Sequence, residues 1–163
     1  MAAFKVTTTG YPAATITAGG LPSGLGIAST GSGKASITGT PAPGTSGVYT
    51  VTITAIGSGS PATQQVTLTV DQAPTITSAA SLTITRGVLM TPFSVTTTGY
   101  PAATLTASGL PGGVSILSNG NGTATISGNP LTTDTAKTYR VTIHAANGAT
   151  PNATQAFSLT LNP

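Results

Sequence analysis

Residues 4–20 read FKVTTTGYPAATITAGG, and residues 93–109 read FSVTTTGYPAATLTASG. The chain repeats itself, and its organisation follows from that duplication. The copies are offset by 89 residues from Phe4/Phe93 to Gly47/Ala136, by 90 at Tyr49/Tyr139 and by 91 at Thr63/Thr154. Both one-residue slips fall in stretches rich in Gly, Ser, Thr and Pro, where surface loops tolerate insertion. About 25 of the 44 pairs from Phe4/Phe93 to Gly47/Ala136 are identical. A period near 90 exceeds the roughly 20–50 residues of a solenoid repeat. It is the size of an independent β-sandwich module.

Within each copy, short alternating runs are broken by turn residues. Alternation with period two marks a half-buried strand. In repeat 2 the pattern predicts strands at 75–85, 92–98, 103–107, 114–118, 123–127, 138–146 and 154–161. Turn signals separate them: Gly99-Tyr100-Pro101, Leu110-Pro111-Gly112-Gly113, Asn119-Gly120-Asn121-Gly122, Gly128-Asn129-Pro130 and Asn147-Gly148. Asn-Gly pairs favour positive φ and hence tight hairpins. Seven short strands at this spacing predict a sandwich. No segment carries a helical period, and the abundance of β-branched Thr and Val disfavours helix.

Alternation also assigns the faces. Tyr139, Val141, Ile143 and Ala145 share the inward face of their strand, opposite Arg140, Thr142 and His144. Tyr49, Val51, Ile53 and Ala55 are the matching set in repeat 1. The last strands supply Val66, Leu68 and Val70, matched by Phe157, Leu159 and Leu161. The pairs Phe4/Phe93, Val6/Val95, Ile16/Leu105, Ile27/Ile116 and Ile37/Ile126 complete a small core. Each large side chain contributes roughly 1.5–3 kcal/mol when buried, so a dozen hold a module of this size with little margin.

The expected architecture is all-β: two tandem Ig-like sandwich modules of the cadherin/fibronectin kind. Module 1 spans 1–70, a linker 71–74 and module 2 75–163. Four linker residues including Pro74 leave little slack, which favours a restricted rod. Repeat 1 has no equivalent of 75–90, so its N-terminal strand is missing. Either the chain as given starts inside a module, or a strand from another chain fills the gap. An unpaired edge of this kind is a template for strand addition.

Composition narrows the function classes. Cysteine is absent, which rules out disulfides and thiolate metal sites and leaves apolar packing to hold the fold. Charged residues make up only 4%, so the 38% apolar content works against no strong self-repulsion. The polar surface must be Thr, Ser, Gly, Asn and backbone, a chemistry suited to an extracellular setting. The net charge of +3 arises because Asp71 and Asp134 are the only acids, while Lys5, Lys34, Arg86, Lys137 and Arg140 are scattered. No cluster forms that would neutralise phosphates, so nucleic acid is not an expected partner. No run of 18 apolar residues exists to insert in a membrane. Met1-Ala2-Ala3 leads straight into a strand with no signal peptide in view. An exported parent would have lost its signal, carry it upstream or use another route.

The pattern GYPAAT…GLPSG…ITGTP…GVYTVTITA…TQQVTLTV resembles the He_PIG-type immunoglobulin-like repeats of bacterial secreted and cell-surface proteins. Repeat 2 carries it as GYPAAT, GLPGG, ISGNP, TYRVTIHAANG and TQAFSLTL. The resemblance implies an Ig-like fold and a role as spacer, stalk or adhesive module. Gly47-Val48-Tyr49-Thr50-Val51 also resembles the tyrosine corner of Ig sandwiches, with Val51 where an antibody domain has cysteine. Tyr139 is its counterpart, although repeat 2 has one extra residue before it.

Candidate chemistry is sparse. A hydrolytic triad needs a base and an orienting carboxylate beside a nucleophile. The single histidine, His144, lies mid-strand on the outward face, where repeat 1 has Thr54. Paired-carboxylate catalysis needs two neighbouring acids, yet Asp71 and Asp134 are assigned to different modules and there is no Glu. Calcium wants six to eight oxygens with several carboxylates, against one Asp at the junction, so no metal is expected. A Lys–Asn isopeptide link would need an acid beside Lys5 or Lys34, and repeat 2 has Ser94 and Thr123 at those positions. Asn121-Gly122-Thr123 and Asn152-Ala153-Thr154 match the glycosylation sequon as short patterns only. Sugar binding is the best rival to a structural role, because Tyr11 and Tyr100, each before a proline in a Thr-Gly-Tyr-Pro turn, could present a ring.

These residues predict a protein without catalytic residues or cofactor, secreted or on a cell or virion surface. The expected role is a structural or adhesive module whose partners are neighbouring Ig-like modules of the same protein. The alternatives are a homo-oligomer or filament assembled through the open edge of module 1, and a glycan-binding module.

Overall fold

The computed structural model describes residues 3–163, which contain fourteen strands and no helix among the described residues. The chain divides into two compact units, with the boundary between Val70 and Asp71.

The first unit holds β1 (Phe4–Thr7), β2 (Thr15–Gly19), β3 (Leu25–Gly31), β4 (Lys34–Gly39), β5 (Gly47–Ile56) and β6 (Ala62–Val70). They form two three-stranded sheets, β1-β4-β3 and β2-β5-β6. Val6, Ile16, Ala35, Ile37, Val51 and Ile53 are buried between them. These are the alternate positions of their strands, because a pleated strand sends every second side chain to the same face.

The second unit holds β7 (Gln72–Ile76), β8 (Ser81–Thr85), β9 (Phe93–Tyr100), β10 (Thr104–Ser108), β11 (Val114–Ser118), β12 (Thr123–Gly128), β13 (Thr138–Ala146) and β14 (Ala153–Asn162). Its sheets have four strands each, β11-β12-β9-β7 and β10-β13-β14-β8. Val95, Ile126, Val141, Ile143, Phe157, Leu159 and Leu161 are almost wholly buried between them. The faces fall as alternation predicts: Val141, Ile143 and Ala145 are buried, while Arg140 and His144 are exposed.

Two expectations for the start of this unit need correcting. Residues 75–85 are not one strand. They divide into β7, antiparallel to β9, and β8, parallel to β14, so the chain passes from one sheet to the other at Thr77–Ala80. Small residues make the passage possible, and backbone bonds fix it. The Ser78 carbonyl accepts from Gln155 Nε2 at 2.9 Å and the Ala80 carbonyl from the Ser158 amide at 2.8 Å. Nor is 71–74 a free linker. β7 begins at Gln72, opposite Tyr100, and Pro74 is buried; the register shift between Gln72 and Thr75 absorbs the proline, which cannot donate to the ladder.

Placing the repeats in correspondence, β1 to β6 match β9 to β14. The described residues of the first unit contain no counterpart of β7 or of β8. The sequence predicted one missing strand. The deficit is two strands, one from each sheet, because the segment that supplies them in the second unit crosses between sheets.

One turn explains why glycine recurs at the same places. Gly128, at φ +145°, closes β12 against Gly113, at φ +72°, and a Cβ on Gly128 would collide with the Gly113 carbonyl. Gly39 and Gly24 make the same approach in the first unit. Both residues lie in left-handed backbone that L side chains disfavour.

Candidate functional site

The missing strands leave a flank open on the first unit. Phe4, Leu21, Ile37, Val51, Val66, Thr67 and Leu68 line a mostly apolar cavity of about 230 Å³. In the second unit the matching core is closed by Ile84 and Met90, both buried, with Leu82 packed against it. The consequences appear residue by residue. Val66, Leu68 and Val70 are half-buried, whereas their counterparts Phe157, Leu159 and Leu161 are buried. Phe4, expected in the core, is 45% exposed. Its counterpart Phe93 packs on Phe157, ring centroids 5.3 Å apart and tilted by 52°. Val66 offers no ring to meet Phe4, and no described strand covers it.

Two backbone edges frame the cavity. β6 is the outer strand of β2-β5-β6, and β1 is the outer strand of β1-β4-β3. In the second unit the corresponding edges are occupied: Ser158–Asn162 pair in parallel with Ser81–Thr85, and β9 pairs with β7. The side chains that tie those strands down recur as well. Gln155, which grips the Ser78 carbonyl, is matched by exposed Gln64, and Thr96, whose hydroxyl lies 2.9 Å from that of Thr77, by exposed Thr7.

The tyrosines separate into two kinds. Tyr49 Oη donates to the Thr45 carbonyl at 2.9 Å, and Tyr139 Oη to the Thr135 carbonyl at 3.1 Å. Both hydroxyls reach back four residues, so the extra residue in repeat 2 is absorbed ahead of Thr135. Lys137 Nζ also lies 4.9 Å from the centre of the Tyr139 ring. Tyr11 and Tyr100 diverge despite their identical surroundings in sequence. Tyr11 is 99% exposed, beside a cleft of about 340 Å³ lined by Thr8, Thr9, Pro12, Ser58 and Ser60. Tyr100 is half-buried at the end of β9, where it pairs with Gln72.

His144 is exposed on β13, between Thr106 of β10 and Thr154 of β14. The two carboxylates, expected in different modules, both belong to the second unit: Asp71 ahead of β7 and Asp134 in the loop before β13. Among the described residues no group of three or more His, Cys, Asp or Glu could hold a metal ion. No helix among them is long and apolar enough to cross a membrane.

Sequence reasoning missed Asn147 and Gln155. Asn147 Nδ2 donates to the carbonyls of Gln72 and Pro101, both at 2.8 Å, and so binds the start of β7 to the Tyr-Pro turn. Asn147-Gly148 is legible as a turn, but the partners of its side chain lie 75 and 46 residues away.

The chain is thus a tandem of Ig-like β-sandwich modules. No family model matches it, and no curated protein does. Among solved structures, it is similar to an I-band fragment of titin (TM-score 0.65, 16% identity), covering 98% of this chain and 59% of that one. It is also similar to a Glu-to-Ala variant of a three-Ig titin fragment (TM-score 0.69, 17% identity), covering 99% and 59%. A titin Ig tandem matches at TM-score 0.53 and 13% identity, covering 99% and 88%. The chain spans about 59% of the length of the first two. At these identities the likeness concerns the fold alone.

Proposed function

We propose that this chain is a non-catalytic, load-bearing pair of Ig-like modules, a spacer or stalk within a larger secreted or cell-surface protein. One observation carries this reading: β8, near the start of the second unit, lies parallel to β14, its last strand. Tension on the two ends of the unit draws these strands in opposite directions. The backbone bonds across the pair are then loaded together in shear rather than peeled one at a time. The Ig-like tandem fold and the near-uncharged, Thr-rich surface agree with a spacer, as does the resemblance to He_PIG-type repeats.

Single-molecule force spectroscopy on the chain tests it. Two unfolding events are expected, with contour gains of roughly 200 Å and 300 Å at about 3.5 Å per residue. The longer event should need the higher force, because only the second unit has the parallel pair. Equal forces, or one merged event, would defeat the load-bearing reading.

A glycan-binding reading is favoured by Tyr11, whose exposed ring stands beside the threonine and serine hydroxyls of its cleft. Stacking of a sugar ring on that face would be lost in Tyr11→Ala. A glycan array in which the parent chain and Tyr11→Ala give the same flat profile removes it.

A further inference from the structure

The second unit displays what the first unit lacks, on a core of nearly the same sequence. From that comparison we infer that the open flank of the first unit is a strand-acceptor site. Its ligand is an extended peptide segment of the chemistry of residues 75–90, TITSAASLTITRGVLM: uncharged at its inward positions, with aliphatic side chains alternating where it meets the core.

Correspondence between the units fixes the register. In the second unit Ser158 stands opposite Ser81, Leu159 opposite Leu82 and Leu161 opposite Ile84. Thr67, Leu68 and Val70 are the matching residues of β6. The incoming segment therefore runs parallel to β6, its Leu opposite Leu68 and its Ile opposite Val70. These side chains enter the cavity lined by Phe4, Val66 and Leu68. Gln64 donates to the segment's carbonyl at the position of Ser78, as Gln155 does in the second unit. Upstream of the crossing, the segment adds to the edge of β1, with Thr7 taking the role of Thr96. Main-chain pairing supplies the affinity in such an addition, and the alternate side chains supply the selectivity. The apolar surface gathered around the cavity gives the site its driving force.

The test titrates a synthetic peptide of residues 75–90 into the 163-residue chain and follows backbone amides by NMR. One peptide should bind per chain, with shifts confined to β1, β6 and the residues beneath them. The midpoint of the first unit's unfolding should rise with peptide concentration, as mass action requires of a ligand bound only to the folded state. A peptide carrying Leu82→Ser and Ile84→Ser should bind at least roughly a hundredfold more weakly, since two buried aliphatic side chains are lost. Gln64→Ala, a change at an exposed position, should weaken binding severalfold with the fold intact. The inference is overturned by no binding at millimolar peptide, by equal binding of the double-serine peptide, or by shifts on β9 and β14. Dimers of the chain that persist in excess peptide would also overturn it, by making a second copy the occupant. Failure of any of these kinds would leave the two-step force trace, and with it the spacer reading, untouched.

Discussion

Leu82 stands opposite Leu159 where β8 runs parallel to β14, and Leu159 is fully buried beneath that pairing. Leu68, which holds Leu159's position in the first unit, is only half-buried. The two units carry the same core pattern, and they differ in whether a strand closes it.

Closure should therefore be measurable at Ile84, which is 7% exposed and opposite Leu161. Ile84→Ala removes three buried carbons and leaves a void that the sheet cannot fully collapse. A loss of about 2–4 kcal/mol is expected in the second unit's urea unfolding free energy, with the first unit's transition unchanged. A loss below about 0.5 kcal/mol would mean that β8 does not hold the core shut.

The reverse change belongs in the first unit. Val66→Phe places a ring where Phe157 stands in the second unit, beside a cavity of about 230 Å³ and the exposed ring of Phe4. There is room for the larger side chain, and an aromatic pair adds about 0.5–1.5 kcal/mol beyond the area it buries. The first unit's unfolding midpoint should rise, and Phe4 amide exchange should slow. A fall in the midpoint would show the flank already packed.

Glycine at Gly128 is required by both sterics and backbone. Gly128→Ala drives a Cβ into the Gly113 carbonyl at φ +145° and should prevent the second unit from folding, read as loss of its NMR dispersion. Gly120→Ala meets open space at φ +79°. Its cost should be only the left-handed penalty of about 1–2 kcal/mol. Similar outcomes at the two positions would contradict the close approach of the β11 and β12 ends.

The two corner tyrosines make the same four-residue bond, so their hydroxyls should be worth about the same. Tyr49→Phe and Tyr139→Phe should each cost about 0.5–1.5 kcal/mol in their own units. Thermal unfolding of both variants checks this. A cost at Tyr49 alone would mean that the extra residue before Tyr139 had disabled the second corner.

Much of this was legible in the chain. The duplicated GYPAAT stretch marked two modules, alternation along 138–146 assigned buried and exposed faces, and the lack of a counterpart to 75–90 pointed to the open flank. Less legible was the division of 75–85. Its alternation continues through Thr77–Ala80, and nothing local says that the strand leaves one sheet for the other. The exposure of Phe4 was hidden for a related reason, since its own strand has the core pattern and only the absence of a covering strand brings it to the surface.

What the amino-acid order settled by itself is therefore the periodic part: a two-residue repeat of apolar side chains, broken by glycine, proline and asparagine, dictates strands and turns because these are consequences of local backbone geometry. The tertiary structure alone decided which edges are paired. Tyr11 and Tyr100 share the same flanking residues, yet one ring is 99% exposed and the other half-buried beside β7. The hydrogen bonds and apolar contacts that separate them come from a segment distant in sequence, and only one of the two units has it.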